Sequence, residues 1–216
     1  MKRVIRIACV TRRWFIVFTV ATLAIVYFPQ AALAQASHVQ WDIISLTFDP
    51  DTGAPIASSG GIASARAVDN TMITMTGTGT FVAPAGGAGS NASATGGGTW
   101  RIINAEDAWA GNGFYWVTGL VRWDREPLGK LPDVVVDAIG NPDERSAGLA
   151  VLRIQYDDGS RGILVVNCIL PGSPPTIPEG ISATKGFVNY FDVQLPATDE
   201  FEDANRTIFH VRGRGR

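Results

Sequence analysis

Cysteine and histidine are scarce in this chain, with two of each in 216 residues, and each scarcity excludes a class of chemistry. Cys9 falls in a basic leader, which leaves Cys168 as a lone thiol with no partner for an internal disulfide, so the core must supply stability. His38 and His210 are far apart and join no cysteine cluster, so no zinc site built on nitrogen and sulfur has the required ligand spacing. Also missing are a G-x-S-x-G elbow, a phosphate-cradling glycine loop with its lysine, and a dinucleotide fingerprint ahead of a helix. No metal and no cofactor is expected. Helical periodicity is equally hard to find beyond the first forty residues.

Acidic residues are absent from the N-terminal segment, which carries Lys2, Arg3, Arg6, Arg12 and Arg13. An apolar run from Trp14 to Phe28 follows, and then the small-residue stretch Ala31-Ala32-Leu33-Ala34-Gln35-Ala36. A basic region, an apolar region and an A-x-A site in that order predict a cleavable export signal over residues 1–34, with Ala36 as the second choice of cleavage point. The run is shorter than the roughly 20 residues a spanning helix needs, which weighs against an uncleaved anchor. Thr11-Arg12-Arg13-Trp14-Phe15 also matches the twin-arginine export pattern, against the plainer reading of a basic leader. The expected location is periplasmic or extracellular, with no stable membrane anchor once the leader is removed. What remains, residues 35–216, holds all 20 acids against 13 basic residues, a formal balance of about −7. That balance argues against nucleic acid as a partner. The closing Arg212-Gly213-Arg214-Gly215-Arg216 reads as a frayed end.

Short β-rich runs separated by Gly, Pro, Asp and Asn recur along residues 35–216. Thr71 to Val82 alternates threonines at its even positions with Ile73, Met75, Gly77, Gly79 and Phe81 at its odd ones, which predicts a polar face and a core face. Gly77 and Gly79 leave space for a bulky neighbour or a bend, as at a barrel corner. Leu149 to Tyr156 and Arg161 to Leu170 flank Asp157-Asp158-Gly159-Ser160 and read as a hairpin. Taking Asp158-Gly159 as a two-residue turn sets Ile154 opposite Ile163, Leu152 opposite Val165 and Ala150 opposite Asn167, with both faces apolar and covered. Further strands are expected over His38 to Phe48, Thr99 to Asn104, Phe114 to Trp123, Val134 to Ile139, Thr184 to Asp192 and Arg206 to Arg212. The expected fold is a single all-β domain, an antiparallel barrel or sandwich of about eight or nine strands. Gly86 to Gly98 reads as a flexible loop and Pro171 to Gly180 as a stiffer, Pro-rich one.

The Gly77-Thr78-Gly79-Thr80-Phe81 stretch, together with Gly96-Gly97-Gly98-Thr99-Trp100, resembles the glycine-rich strands of dirigent and allene oxide cyclase-like barrels. That resemblance implies an eight-stranded barrel around an apolar cavity. No functional residue is carried over from it.

Asp51-Thr52-Gly53 is the tripeptide of an aspartic protease, but no second copy supplies the partner carboxylate and the Pro-rich setting favours a turn. Asp49-x-Asp51-x-Gly53 lacks the remaining ligands of a calcium loop. His210 and Cys168 sit in apolar strands and read as core residues. Glu106 with Asp107, and Asp143 with Glu144, read as loop carboxylates. The ligand-binding candidates are polar or aromatic residues set in strands fit for burial: Asn167, Arg153 and Arg122, with Trp116, Trp123 and Tyr156 as apolar walls. If they turn to a common interior they form a pocket for a small apolar ligand; otherwise the arginines mark exposed strand positions. The expected function is non-catalytic binding of a small apolar ligand or envelope component. A carboxylate-dependent isomerase or hydrolase with its site inside a barrel, and a structural or assembly role in the envelope, are the alternatives. Oligomeric state is left open.

Overall fold

A computed structural model describes residues 37–83, 94–106, 108–126, 129–174, 178–194 and 205–213. Residues 1–36, which include the expected leader, 84–93, Asp107, 127–128, 175–177, 195–204 and Arg214-Gly215-Arg216 lie outside them. The described residues are all-β, with one short 3₁₀ turn at Pro142–Glu144. The fourteen strands are β1 (Ser37–Phe48), β2 (Pro55–Ser59), β3 (Ala63–Arg66), β4 (Met72–Met75), β5 (Thr78–Ala83), β6 (Ala94–Ile103), β7 (Trp109–Glu126), β8 (Val136–Asp137), β9 (Arg145–Tyr156), β10 (Arg161–Cys168), β11 (Gly180–Lys185), β12 (Val188–Tyr190), β13 (Asp192–Gln194) and β14 (Arg206–Arg212).

Six of them close a barrel. β9 pairs with β14, β14 with β1, β1 with β5, β5 with β6, β6 with β7, and β7 returns to β9, every pairing antiparallel. Closure removes the open edges that a flat sheet of these strands would leave. The other strands extend the wall: β10, β11 and β12 continue outward from β9, and β4, β3 and β13 from β6. β2 leaves β1 beyond Ile44 and carries β8 in the one parallel pairing described. The dirigent-type resemblance therefore overstates both features it implied. The closed ring has six strands, and its interior holds side chains in place of a cavity.

A ring this narrow is filled by a few aromatic residues. Trp41, Phe81 and Phe209 are fully buried, and Trp123 meets Phe81 and Phe209 edge-on at centroid distances of 5.3 and 4.6 Å. The threonine-rich run supplies the space they need. Trp41 lies directly across from Gly79, and a side-chain carbon at Gly79 would stand 2.7 Å from the Trp41 indole nitrogen and 2.1 Å from the Thr95 carbonyl oxygen. The predicted strand over 71–82 breaks at Thr76-Gly77 into β4 and β5, because Gly77 passes beneath Trp41 and the Tyr115 hydroxyl. Ile73, Met75 and Phe81 face the core as the alternation predicts, while Thr78 and Thr80 face solvent. Residues 94–98, assigned to a flexible loop by composition, belong to β6, whose glycines allow close approach to β5 and to Thr76.

The β9–β10 hairpin corrects the expected register by one residue. The Gly159 amide donates to the Tyr156 carbonyl, Gly159 takes φ +84, and Tyr156 and Ser160 close a three-residue loop, Asp157-Asp158-Gly159. A tight turn ending in a left-handed glycine replaces the two-residue turn, and Asp158 holds it through the Ser160 amide and hydroxyl. Ile154 therefore faces Gly162, Leu152 faces Leu164, and Asn167 faces Leu149. Ala150, Leu152, Ile154, Leu164 and Val166 share the buried face, and Val151, Arg153, Ile163 and Val165 the outer, half-exposed one. The hairpin is covered on one side only. Thr184 to Asp192 likewise divides, at the two-residue turn Gly186-Phe187 between β11 and β12.

The glycine constraint is testable. Gly79→Ala places a carbon against backbone, and the unfolding free energy in urea is expected to fall by about 3 kcal/mol. Gly53→Ala, at a left-handed position (φ +69) with nothing within 4 Å, is expected to lose only about 1 kcal/mol. Equal losses at the two positions contradict the account.

Candidate functional site

The six candidate residues do not meet in a common interior. Trp123 is wedged between Phe81 and Phe209 inside the barrel. Tyr156 is fully buried, with its hydroxyl donating to the Thr184 carbonyl at 2.9 Å and Lys185 Nζ 4.9 Å from its ring centroid. Both are core anchors rather than pocket walls. Trp116 and Arg153 lie on the outer face, and Arg122 is exposed beside Asp124, with which it pairs. Asn167 is buried; its carbonyl accepts from the Thr207 hydroxyl, and its side-chain oxygen has no partner among the described residues. The one-residue register change separates Asn167 from the interior face on which the pocket was expected.

The remaining motifs resolve as structure. Asp49 Oδ1 accepts from the amides of Asp51 and Thr52 and from the Thr52 hydroxyl, so Asp51-Thr52-Gly53 is the turn between β1 and β2. Cys168 is buried, and loss of solvent, followed by the nearby charge of Glu179, pushes its thiol well above the usual range, the opposite of an activated nucleophile.

Two polar groupings emerge that the sequence pattern does not mark. The first fastens the outer layer to the barrel. His210 on β14 donates from Nε2 to Asp137 Oδ2 at 2.9 Å, Arg145 Nε lies 3.7 Å from the same oxygen, and the side chains of His210 and Asp137 are fully enclosed. Burial works against an ionised Asp137, but the His210 hydrogen bond and the amides of Ile139 and Gly140 outweigh it and hold the carboxyl below its ordinary range. Asp42, also buried, is pushed the other way by desolvation, with Thr78, Gln40 and His210 pulling it back. Two carboxylates and a histidine thus converge, but they are sealed from solvent and bind the covering segment to the wall.

The second is a cleft of about 220 Å³ outside the barrel. Here β2 and the 131–135 segment cross the outer face of β1 and β14 and enclose a small apolar cluster centred on Ile44, Ala57 and Ile208. Leu131, Pro132, Leu170 and Pro171 complete the walls. Three of the lining residues are prolines (Pro55, Pro132, Pro171), whose fixed φ keeps the mouth preformed. Glu179, from the Pro-rich loop, supplies its acidic end. Its Oε2 accepts from the Ile169 amide at 2.5 Å and its Oε1 from the Thr207 amide at 2.8 Å. Desolvation raises the carboxyl to about 7, against the two amides, the Arg206 charge and the Thr207 hydroxyl, which lower it. Among the described residues lining this cleft, Glu179 is the one carboxylate.

Glu179 carries a pH signature. Its carboxyl protonates more readily folded (about 7) than at its ordinary value of 4.5, so the stability it confers is complete below about pH 4.5 and lost as the pH rises through about 7. On the order of 3 kcal/mol is at stake. The expected result is a drop in the urea midpoint between pH 5 and pH 8 that Glu179→Gln largely abolishes; an unchanged drop in the variant rules Glu179 out as its source. For the Asp137 clamp, Asp137→Asn is expected to lower stability by about 2 kcal/mol at pH 7, and Arg212→Gln, which removes an exposed pairing with Glu144, by less than about 1 kcal/mol. Circular dichroism melts of the two variants decide this.

No protein-family model matches the chain, and the searches of curated proteins and of solved structures likewise returned no match.

Proposed function

We propose that this is an exported, non-catalytic protein that binds a small apolar molecule in the Glu179 cleft, after loss of residues 1–34. The carrying observation is the cleft itself: apolar walls, proline-stiffened edges, and at one end a half-buried carboxylate beside Arg206 and Thr207. A mostly apolar site with a few convergent polar groups, here Glu179, Arg206 and Thr207, is the usual construction of small-ligand pockets. Its volume sets the ligand's size. An engineered apolar cavity of about 150 Å³ takes up benzene, so about 220 Å³ suits a single ring with a short substituent, or a short branched chain. The ligand's polar end faces Glu179, as a hydroxyl or amine donor. Filling of the barrel interior by Trp41, Phe81, Trp123 and Phe209 supports an external site over an internal one.

The test is thermal unfolding of the purified protein against a panel of small phenols, indole and short alkyl amines. A ligand at about a hundred times its Kd is expected to raise the melting temperature by roughly 5 °C or more. Ala57→Phe, which fills the cleft, is expected to abolish the shift, and Leu131→Ala, which widens it, to move the preference toward larger members of the panel. No shift across the panel, or a shift that survives Ala57→Phe, refutes the proposal.

A further inference from the structure

A larger groove lies elsewhere, on the outer face where β7, β9, β10 and β11 run side by side. It measures about 620 Å³, and Thr118, Arg153, Gln155, Arg161 and Thr184 contribute its polar lining. It shares no residue with the Glu179 cleft.

Its polar lining includes an arginine pair. Four Lys and Arg side chains elsewhere sit beside carboxylates, Arg122 with Asp124, Arg145 with Asp137, Lys185 with Asp158, and Arg212 with Glu144. Arg153 and Arg161 have no carboxylate within 4.0 Å among the described residues. Arg153 stands opposite Ile163 and Arg161 opposite Gln155, so the two arginines are diagonal neighbours on one face of an antiparallel pair. At that position their β-carbons are about 7 Å apart, near enough for both guanidinium groups to reach one anion between them. In a chain whose acids outnumber its bases, two adjacent unneutralised arginines form a local positive site against the general balance.

An apolar surface adjoins it. Trp116 is directly across β7–β9 from Gln155, and Gln155 directly across β9–β10 from Arg161. Three strands thus present, in one row, an indole, an amide and a guanidinium spanning about 10 Å. Trp116 is 44% exposed, and Phe114, two residues earlier on the same face, is 66% exposed. Two open aromatic faces on a rigid strand, beside amide, hydroxyl and guanidinium donors, match a ligand with flat apolar faces, many hydroxyls and an anionic group. Sugar rings bearing a carboxylate or sulfate have that combination.

We propose that this face is a binding site for an acidic carbohydrate, with Arg153 and Arg161 holding the carboxylate or sulfate, Trp116 and Phe114 stacking on ring faces, and Gln155, Thr118 and Thr184 meeting hydroxyls. The chemistry differs from that of a free anion, which would not need the aromatic strip, and from that of a neutral glycan, which would not need the arginine pair.

Affinity electrophoresis of the purified protein through gels containing polygalacturonate, heparin or neutral dextran tests the assignment, with intrinsic tryptophan fluorescence followed in parallel titrations. Retardation is expected in one or both acidic gels and not in dextran, weakening as salt rises. Arg153→Gln and Arg161→Gln are each expected to reduce affinity at least tenfold, and Trp116→Ala to reduce it and remove the fluorescence change. Arg212→Gln, which alters net charge equally on another strand, is expected to leave retardation unchanged. Because these positions are on the outer face, unchanged circular dichroism melts are expected to show that the variants remain folded. Absence of retardation in both acidic gels, loss of binding in Arg212→Gln comparable to that in the groove variants, equal displacement by inorganic sulfate at the same charge concentration, or equal retardation by single-stranded DNA would each overturn the proposal.

Discussion

The contact of Trp41 with Gly79 sets the dimensions on which the fold depends. A barrel of six strands has room on its axis for only a few large side chains, and each must be met across the ring by something small. Trp41 from β1 reaches over β5 because Gly79 and Gly77 carry no side chain there, and Tyr115 from β7 enters the same space from the other side. Phe81, Trp123 and Phe209 continue the column beyond them. With large residues on β1, β5, β7 and β14 and glycines on β5 and β6, the ring is complementary in shape.

A filled interior displaces recognition chemistry to the outside of the wall. The segment from 129 to 144 wraps the outer face of β1 and β14 and is attached by a polar contact, Asp137 with His210 and Arg145, rather than by a strand ladder of any length; β8 contributes only two paired residues. Such an attachment is specific in geometry, and beside it lies the apolar cluster of Ile44, Ala57 and Ile208. The cleft at Glu179 is the gap that results, and its carboxylate is held by the amides of Ile169 and Thr207, which connect the end of β10 to the start of β14. The same residue thus ties two strands together and gives the cleft its polar end.

How far the sequence could reveal this depended on the range of the interactions. Alternation is local, and it correctly marked Ile73, Met75 and Phe81 as core-facing and β14 from Arg206 to Arg212 as a strand. Composition misled where tertiary contacts override it: Gly96-Gly97-Gly98 has the look of a flexible loop, yet those glycines are strand residues that allow β6 to press against its neighbours. The hairpin was placed correctly but read one residue out of register, because Asp157-Asp158-Gly159 serves equally well in a two- or three-residue loop and only the Gly159-to-Tyr156 hydrogen bond distinguishes them. One residue of slip exchanges faces, so Asn167 moved out of the expected pocket. β2 and β3, short and rich in serine and alanine, gave no alternation strong enough to read. Glu179 sat unnoticed in a Pro-rich loop, since its importance arises from backbone amides 10 and 28 positions away.

The arginines show the same principle from the other side. Arg122 and Arg153 share one feature, a charge within an apolar strand; Arg122 is exposed and Arg153 half-buried on the outer face. Their environments nevertheless differ: Arg122 has Asp124 two residues away on its own strand, whereas Arg153 has Arg161 as its diagonal neighbour across the hairpin. Spacing along one strand exposes the first relationship in the sequence. The second exists only once the register is known, and under the two-residue turn the two arginines would have fallen on opposite faces. The Asp157-Asp158-Gly159 loop therefore decides which side chains of β10 join those of β9 on the outer face, and so which charges meet there.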